Sequence, residues 1–140
     1  MVSIGKSKRE ERTRAARYHE IGQALLQTAG DLDALADPRY GNALAIIAIH
    51  AAIAFTDALT VKYRELKSTD GDHTRAADLL VHAMGHRADA DQVRRLRGIL
   101  SAKSSASYSG NFYTLADGVR VLTETRIYAQ WSAEMLQERL

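Results

Sequence analysis

The run from Ala43 to Val61 is the feature that most limits how this chain can fold. It is apolar over a length sufficient to cross a bilayer, and its many alanines favour helix over strand. His50, Thr56 and Asp57 interrupt it, and both ends pass into charged amphipathic sequence. An aspartate near a bilayer centre costs about 3 kcal/mol on insertion scales. The central helix of a soluble bundle accommodates the run better, so no membrane span is expected.

Helical spacing continues on both sides of that run. Tyr18, Ile21, Leu25, Thr28, Leu32 and Leu35 recur at steps of three and four and form one stripe, which Asp37-Pro38 ends. The central helix is expected from about Tyr40 to Lys67. One of its stripes holds Leu44, Ile47, Ala51, Phe55, Ala58 and Lys62, and another holds Ile46, His50, Ile53, Asp57 and Val61. Asp70-Gly71 marks a turn, and Asp72 suits an N-cap for a short helix through about Met84. Asp89 and Asp91 stand at the start of a fourth helix, where acidic groups suit the positive dipole end. That helix carries Val93, Leu96, Ile99 and Leu100.

Ser104 to Asn111 reads as a loop or frayed end. A last helix then carries Phe112, Leu115, Val119, Leu122, Ala129, Ala133 and Leu136, with Tyr128, Trp131 and Met135 on a second face. Extended alternation of β-branched residues is missing, and Pro38 is the only proline, so no sheet is expected. The fold class is therefore all-α: an up-and-down bundle of four long helices and a short one. Its 140 residues fit a single domain spanning 1–140, with residues 1–8 as a flexible N-terminus.

Composition removes some chemistries. The chain has no cysteine, which excludes disulfides and thiolate metal sites and suits a reducing, cytoplasmic setting. The N-terminal stretch with Lys6, Lys8, Arg9, Arg12 and Arg14 is followed by no apolar segment of the kind a secretory leader needs. Net charge is only +2, but Lys6–Arg17 and the group Arg94, Arg95, Arg97 and Lys103 are locally basic. Each cluster is either a solvated helix face or a phosphate-contacting surface.

Asp78, His82 and His86 are spaced by four, as metal ligands on one helix face can be. Gly85 interrupts that helix, and no zinc-protease or diiron pattern accompanies the histidines, so no metal and no cofactor are expected. His50 and Asp57 share a helix face, and Asp57 is expected to orient Lys103 across the bundle or to join a structural hydrogen-bond network. Phe112 and Tyr113 either stack bases or anchor the last helix.

The segment from Ile49 to Leu80 resembles the middle of HEPN-domain proteins. It has the alanine-rich helix with an acidic-Ala-Leu step, here Asp57-Ala58-Leu59, then a turn and a short helix opening near Asp72-His73. By helix order the resemblance covers roughly residues 10–138, and by recognisable residues only the middle third. The stretch LRGILSAKSSASYSG, Leu96–Gly110, sits where that family carries its ribonuclease signature, an arginine followed four to six residues later by a histidine.

Here Lys103-Ser104 and Tyr108 occupy that place, keeping the spacing and changing both end residues. The resemblance implies a homodimer with an RNA- or nucleotide-facing groove, at times beside a nucleotidyltransferase-type partner protein or within toxin–antitoxin or defence systems. It also implies metal-independent RNA cleavage, with Lys103, Tyr108 and Asp57 as the altered catalytic set and Arg94, Arg95, Arg97, Lys103 and Ser104 as the RNA-binding set. A tyrosine hydroxyl ionises near pH 10, and lysine lacks the arginine fork, so little or no cleavage is expected from that set. The competing expectation is a helical protein–protein interaction module with no chemistry.

Overall fold

The computed structural model describes residues 4–107 and 110–140. Among them are five α-helices: α1 (Ala15–Ala34), α2 (Gly41–Arg64), α3 (Arg75–Met84), α4 (Ala90–Ser107) and α5 (Leu115–Gln137). The all-α class therefore holds, with one addition. Ser7–Arg9 (β1) and Leu66–Ser68 (β2) form a two-stranded antiparallel ribbon, with Ser7 opposite Ser68, Lys8 opposite Lys67 and Arg9 opposite Leu66. The expectations of no sheet and of a loose residue 1–8 segment are corrected from Lys6 onward. Thr69 N–H donates to the Lys6 carbonyl and Glu10 N–H to the Glu65 carbonyl, closing the ribbon at both ends.

α2 is the axle of the fold and packs on all four other helices. Its apolar run is long enough to cross a membrane, but 78% of that window is buried inside the chain itself. Six alanines, Ala45, Ala48, Ala51, Ala52, Ala54 and Ala58, bring neighbouring backbones close, while Leu44, Ile49, Phe55, Leu59 and Val61 fill the spaces between. The helix stops three residues before the expected Lys67. Glu65 turns left-handed at φ +55°, and the Arg12 Nε–H donates to the Lys62 carbonyl at 2.5 Å, capping the end.

α1 faces the core with a different stripe from the one expected. Ala15, Gly22 and Ala29 are its buried residues, whereas Ile21 is 40% and Leu35 65% exposed. Close approach explains the rotation: a Cβ at Gly22 would stand 2.7 Å from two Phe55 ring carbons. The small residues mark the interface because the large partner comes from α2.

α3 begins at Arg75, after a turn in which the Asp72 carboxylate accepts from Thr74 N–H and Oγ–H. α4 starts as expected, with the Asp89 carboxylate accepting from the Asp91 and Gln92 amides. It continues through Ser107, so Ser104–Ser107 is helical rather than loop.

α5 starts at Leu115, three residues later than expected, because Thr114 and Asp117 form a reciprocal capping box. Phe112 thus lies ahead of the helix and is 70% exposed. At its far end α5 is closed by Lys62, a stripe residue of α2 that is only 8% exposed. Its ammonium donates to the carbonyls of Met135, Leu136 and Glu138. A cation there satisfies orphan carbonyls and complements the negative helix end.

Candidate functional site

The residues singled out in the sequence are distributed over three places. Arg94 and Arg95 line an open groove of about 1230 Å³ between α4 and α5. Its floor includes Ile99, Ala102 and Val121, and Asn111, Phe112 and Tyr113 stand at one end. Asn42, at the first turn of α2, holds that end in place. Its Nδ2 donates to the carbonyls of Ala106 and Asn111, both at 2.9 Å, and its Oδ1 accepts from Tyr113 N–H at 2.8 Å. One side chain therefore pins both neighbours of Phe112 and presents that ring to solvent.

The groove's cations are matched on the spot. Arg95 Nε–H bonds Glu124 across the groove at 2.7 Å, Arg94 bonds Asp91 at 2.9 Å, and Arg120 meets Asp117 at 3.3 Å. Arg97 turns away and pairs with Asp78 of α3 at 2.9 Å. That pairing also engages one of the three residues considered as metal ligands. Gly85, at φ +57°, ends α3 between the other two, His82 and His86. Among the described residues no cluster of histidines and carboxylates is placed to hold a metal ion.

Lys103 belongs to a second place. It is half-buried on α4, next to the exposed Ser104, and is not among the residues that line the groove. His50, exposed on α2, and His73, half-buried in the turn before α3, complete this place. The three groups act on one another. Burial, and after it the Lys103 charge, pushes the His50 imidazole below its usual range. His73 is lowered by burial, then by Lys103 and His50, with Asp72 opposing and Lys67 adding. Both imidazoles are thus neutral at pH 7, beside a cation. Tyr108 lies outside the described residues.

Asp57 is in the third place. It is 6% exposed, and the cation it meets is Lys67 of β2 at 3.6 Å, which corrects the expected Asp57–Lys103 pairing. Lys67 also stands 5.7 Å from the Tyr18 ring centre. Burial raises the Asp57 carboxyl to about 6 against the pull of Lys67, and Glu10 adds to the rise.

The network expected around Asp57 is built instead from Thr56 and Tyr128. Thr56 Oγ–H donates to the Ala52 carbonyl, so the 2.7 Å contact with Tyr128 has the phenol as donor. Burial lifts the Tyr128 hydroxyl far above its ordinary range.

Sequence reasoning found Lys103 and set Asp57 of α2 against it, whereas the α2 group that feels its charge is His50. His50 and His73 were visible as isolated histidines, yet no spacing relates positions on two helices and the turn between them. The basic N-terminal cluster is largely bound within the fold: Arg9 and Arg12 meet Glu65, Arg14 meets Glu10, and Arg17 meets Glu20. Comparison of the chain with protein-family models, with curated proteins and with solved structures found no match.

Proposed function

We propose that this chain is an HEPN-like cytoplasmic helical protein that binds RNA or a nucleotide at the junction of α2, α3 and α4. The observation that carries the reading is that Lys103 of α4, half-buried, lies within electrostatic range of the exposed His50 of α2 and the half-buried His73 of the turn before α3. Two imidazoles and an ammonium are groups able to carry metal-independent cleavage of RNA by its own 2′-hydroxyl. One neutral imidazole takes the 2′-hydroxyl proton as the oxygen attacks phosphorus. The other, protonated, gives its proton to the departing 5′-oxygen, leaving a 2′,3′-cyclic phosphate. Lys103 meets the non-bridging oxygens as a point charge. These histidines supply the proton-moving groups that the altered Lys103–Tyr108 signature lacks.

The test is a gel assay with labelled mixed-sequence RNA at low salt in the presence of a chelator, with His50→Gln, His73→Gln and Lys103→Ala alongside. Cleavage lost in the histidine variants, with binding lost in Lys103→Ala, supports the reading. Wild-type protein that neither shifts nor cuts the RNA removes it.

A second reading rests on a separate observation, the clamped and exposed Phe112 beside a groove whose charges are matched in sign. This suits a protein interface, and a second copy of the chain is the occupant we favour. Both rims carry acids and arginines, Asp91, Arg94 and Arg95 on one and Asp117, Arg120 and Glu124 on the other, the mixed charge that a two-fold contact between copies needs. Light scattering of wild type and Phe112→Glu tests it: a dimer that becomes monomeric supports it, and a wild-type monomer overturns it. A nucleotidyltransferase-type partner and a place in a toxin–antitoxin or defence system extend the first reading through the HEPN resemblance alone.

A further inference from the structure

Residues 4–14 form an arm that lies against the body without being buried in it. None of them is buried, and Ile4 is their one large apolar side chain. Polar contacts hold the arm in place. Beyond the ladder with β2, Lys6 N–H donates to the Asp70 carboxylate and Arg12 N–H to that of Glu65. Arg9 and Arg12 also pair with Glu65, at 3.6 and 3.7 Å. A segment fixed by solvent-facing hydrogen bonds, with few buried apolar contacts, belongs to the low-stability end of a structure. It opens before the core does.

Behind the ribbon is a group whose ionisation responds to that opening. Asp57 of α2 is 6% exposed, and Lys67 of β2 stands 3.6 Å from its carboxylate and 5.7 Å from the Tyr18 ring centre. The Tyr18 hydroxyl of α1 donates to Glu10 of the arm, which also pairs with Arg14 at 2.8 Å and Lys8 at 3.6 Å. On the inner side the Asp57 charge reaches the Tyr128 hydroxyl of α5, and the Lys67 charge reaches His73 before α3. Burial holds the Asp57 carboxyl at about 6 rather than 3.8, with Lys67 opposing and Glu10 adding.

We propose that the arm and its ribbon form a pH-operated latch over Asp57, closed in mild acid and loosened as the medium becomes neutral. The device is separate from the RNA reading and needs no ligand. A chain of contacts joins arm to carboxylate: Glu10 to Tyr18, Tyr18 to Lys67, Lys67 to Asp57. Removing β1 takes Glu10 away and leaves β2 without its partner strand, so Lys67 loses its support. Water then reaches Asp57, and its carboxyl falls back toward 3.8. Between 3.8 and about 6 the closed form holds a proton that the opened form gives up, which favours closure as pH falls and release as it rises. The pairing with Lys67 opposes this trend, and burial outweighs it.

The experiment is amide hydrogen exchange by NMR on the full chain at pH 5 and pH 7.5, with rates corrected for the base catalysis of exchange itself. The Glu10 and Thr69 amides, bonded to the Glu65 and Lys6 carbonyls, report the ribbon, and Phe55 in the middle of α2 reports the core. The ribbon amides should exchange through an opening at least about tenfold more populated than the one that exposes Phe55. From pH 5 to 7.5 that ribbon opening should become about tenfold more populated. In Asp57→Asn it should change by less than about twofold over the same range, with the histidines still present. Lys67→Met leaves the carboxylate without its cation and should steepen the response.

Ribbon amides as well protected as Phe55 would mean that the arm opens only with the whole fold, and that overturns the latch. Ribbon amides that open separately but equally at both pH values overturn it too, as does a pH response that Asp57→Asn leaves intact. Should the asparagine variant fail to fold, Lys67→Met decides: a response no steeper than that of wild type removes Asp57 from the device. None of these outcomes touches the His50, His73 and Lys103 reading, which RNA binding tests on its own.

Discussion

The arginines of α4 and its Lys103 stand in different company. Toward α5, Arg94, Arg95 and the facing Arg120 each find a carboxylate within 3.3 Å, and the groove they border is charge-balanced around an apolar floor. Toward α2 and α3, Lys103 acts on two imidazoles, and Lys67 of the ribbon, itself paired with the buried Asp57, adds to its effect on His73. A cation's surroundings, not its presence, decide which role it plays in the fold. In the sequence Arg94, Arg95, Arg97 and Lys103 form one basic group, and in the fold the three arginines each meet a carboxylate.

The largest effect expected from this contrast is catalytic. His73→Gln should lower RNA cleavage by about 10²–10⁴-fold, the usual worth of a positioned proton carrier, while leaving RNA affinity within severalfold. Because burial and Lys103 hold both imidazoles low, the protonated partner becomes scarce as pH rises. The rate should therefore peak on the acid side of pH 6.5, which single-turnover rates from pH 4.5 to 8 would display. A plateau extending above pH 8 would contradict the two-imidazole scheme.

Next in size is Asn42→Ala, which reaches the groove side alone. Three hydrogen bonds from one side chain tie α2 to the end of α4 and to both neighbours of Phe112. Their loss is expected to lower unfolding free energy by about 2–3 kcal/mol, measured by denaturant titration. Any dimer that uses Phe112 should weaken in parallel, and RNA cleavage per folded molecule should change little.

Asp57→Asn comes third and reports on the other side. The folded carboxyl titrates at about 6, above the ordinary 3.8, so between those values the folded state holds a proton that the unfolded chain has released. Stability therefore falls as pH rises through this window, and at pH 7 the ionised group costs about 1–3 kcal/mol after allowance for the Lys67 pairing. Asn at this position removes the titration. The variant should be as stable as wild type near pH 4, more stable at pH 7, and flat between them. Thermal melts at both pH values check this, and a parallel decline in both proteins would place the titration elsewhere.

The order of the helices was legible because each buries a face, and burial writes a 3.6-residue period into the sequence. The rotation of α1 was not, because Gly22 and Ala29 leave room for Phe55 and carry no apolar signal of their own. The ribbon was equally silent. Ser-Lys-Arg and Leu-Lys-Ser have no strand pattern, and their pairing is imposed by where α2 stops. At the site, Lys103 stood out through the resemblance, and the seven-residue spacing of His50 and Asp57 suggested a joint role. The fold separates them, giving Asp57 to Lys67 and His50 to Lys103. Spacing along one helix is local information, whereas the His50–His73–Lys103 gathering depends on how three elements pack.

The smallest expected effect is also the sharpest check on the comparison. Arg94 and Arg120 form exposed pairs with acids three residues away, an arrangement worth well under 1 kcal/mol. Replacing both by alanine should leave stability nearly unchanged and RNA affinity within about twofold, because each arginine is already paired with an acid and borders the groove, whose lining does not include Lys103. A tenfold loss of affinity would mean that the strand crosses the end of α4 into the groove and displaces Asp91 and Asp117. The two sides would then be one continuous surface, and the exposed Phe112 ring would be a base platform rather than an anchor for a second protein chain.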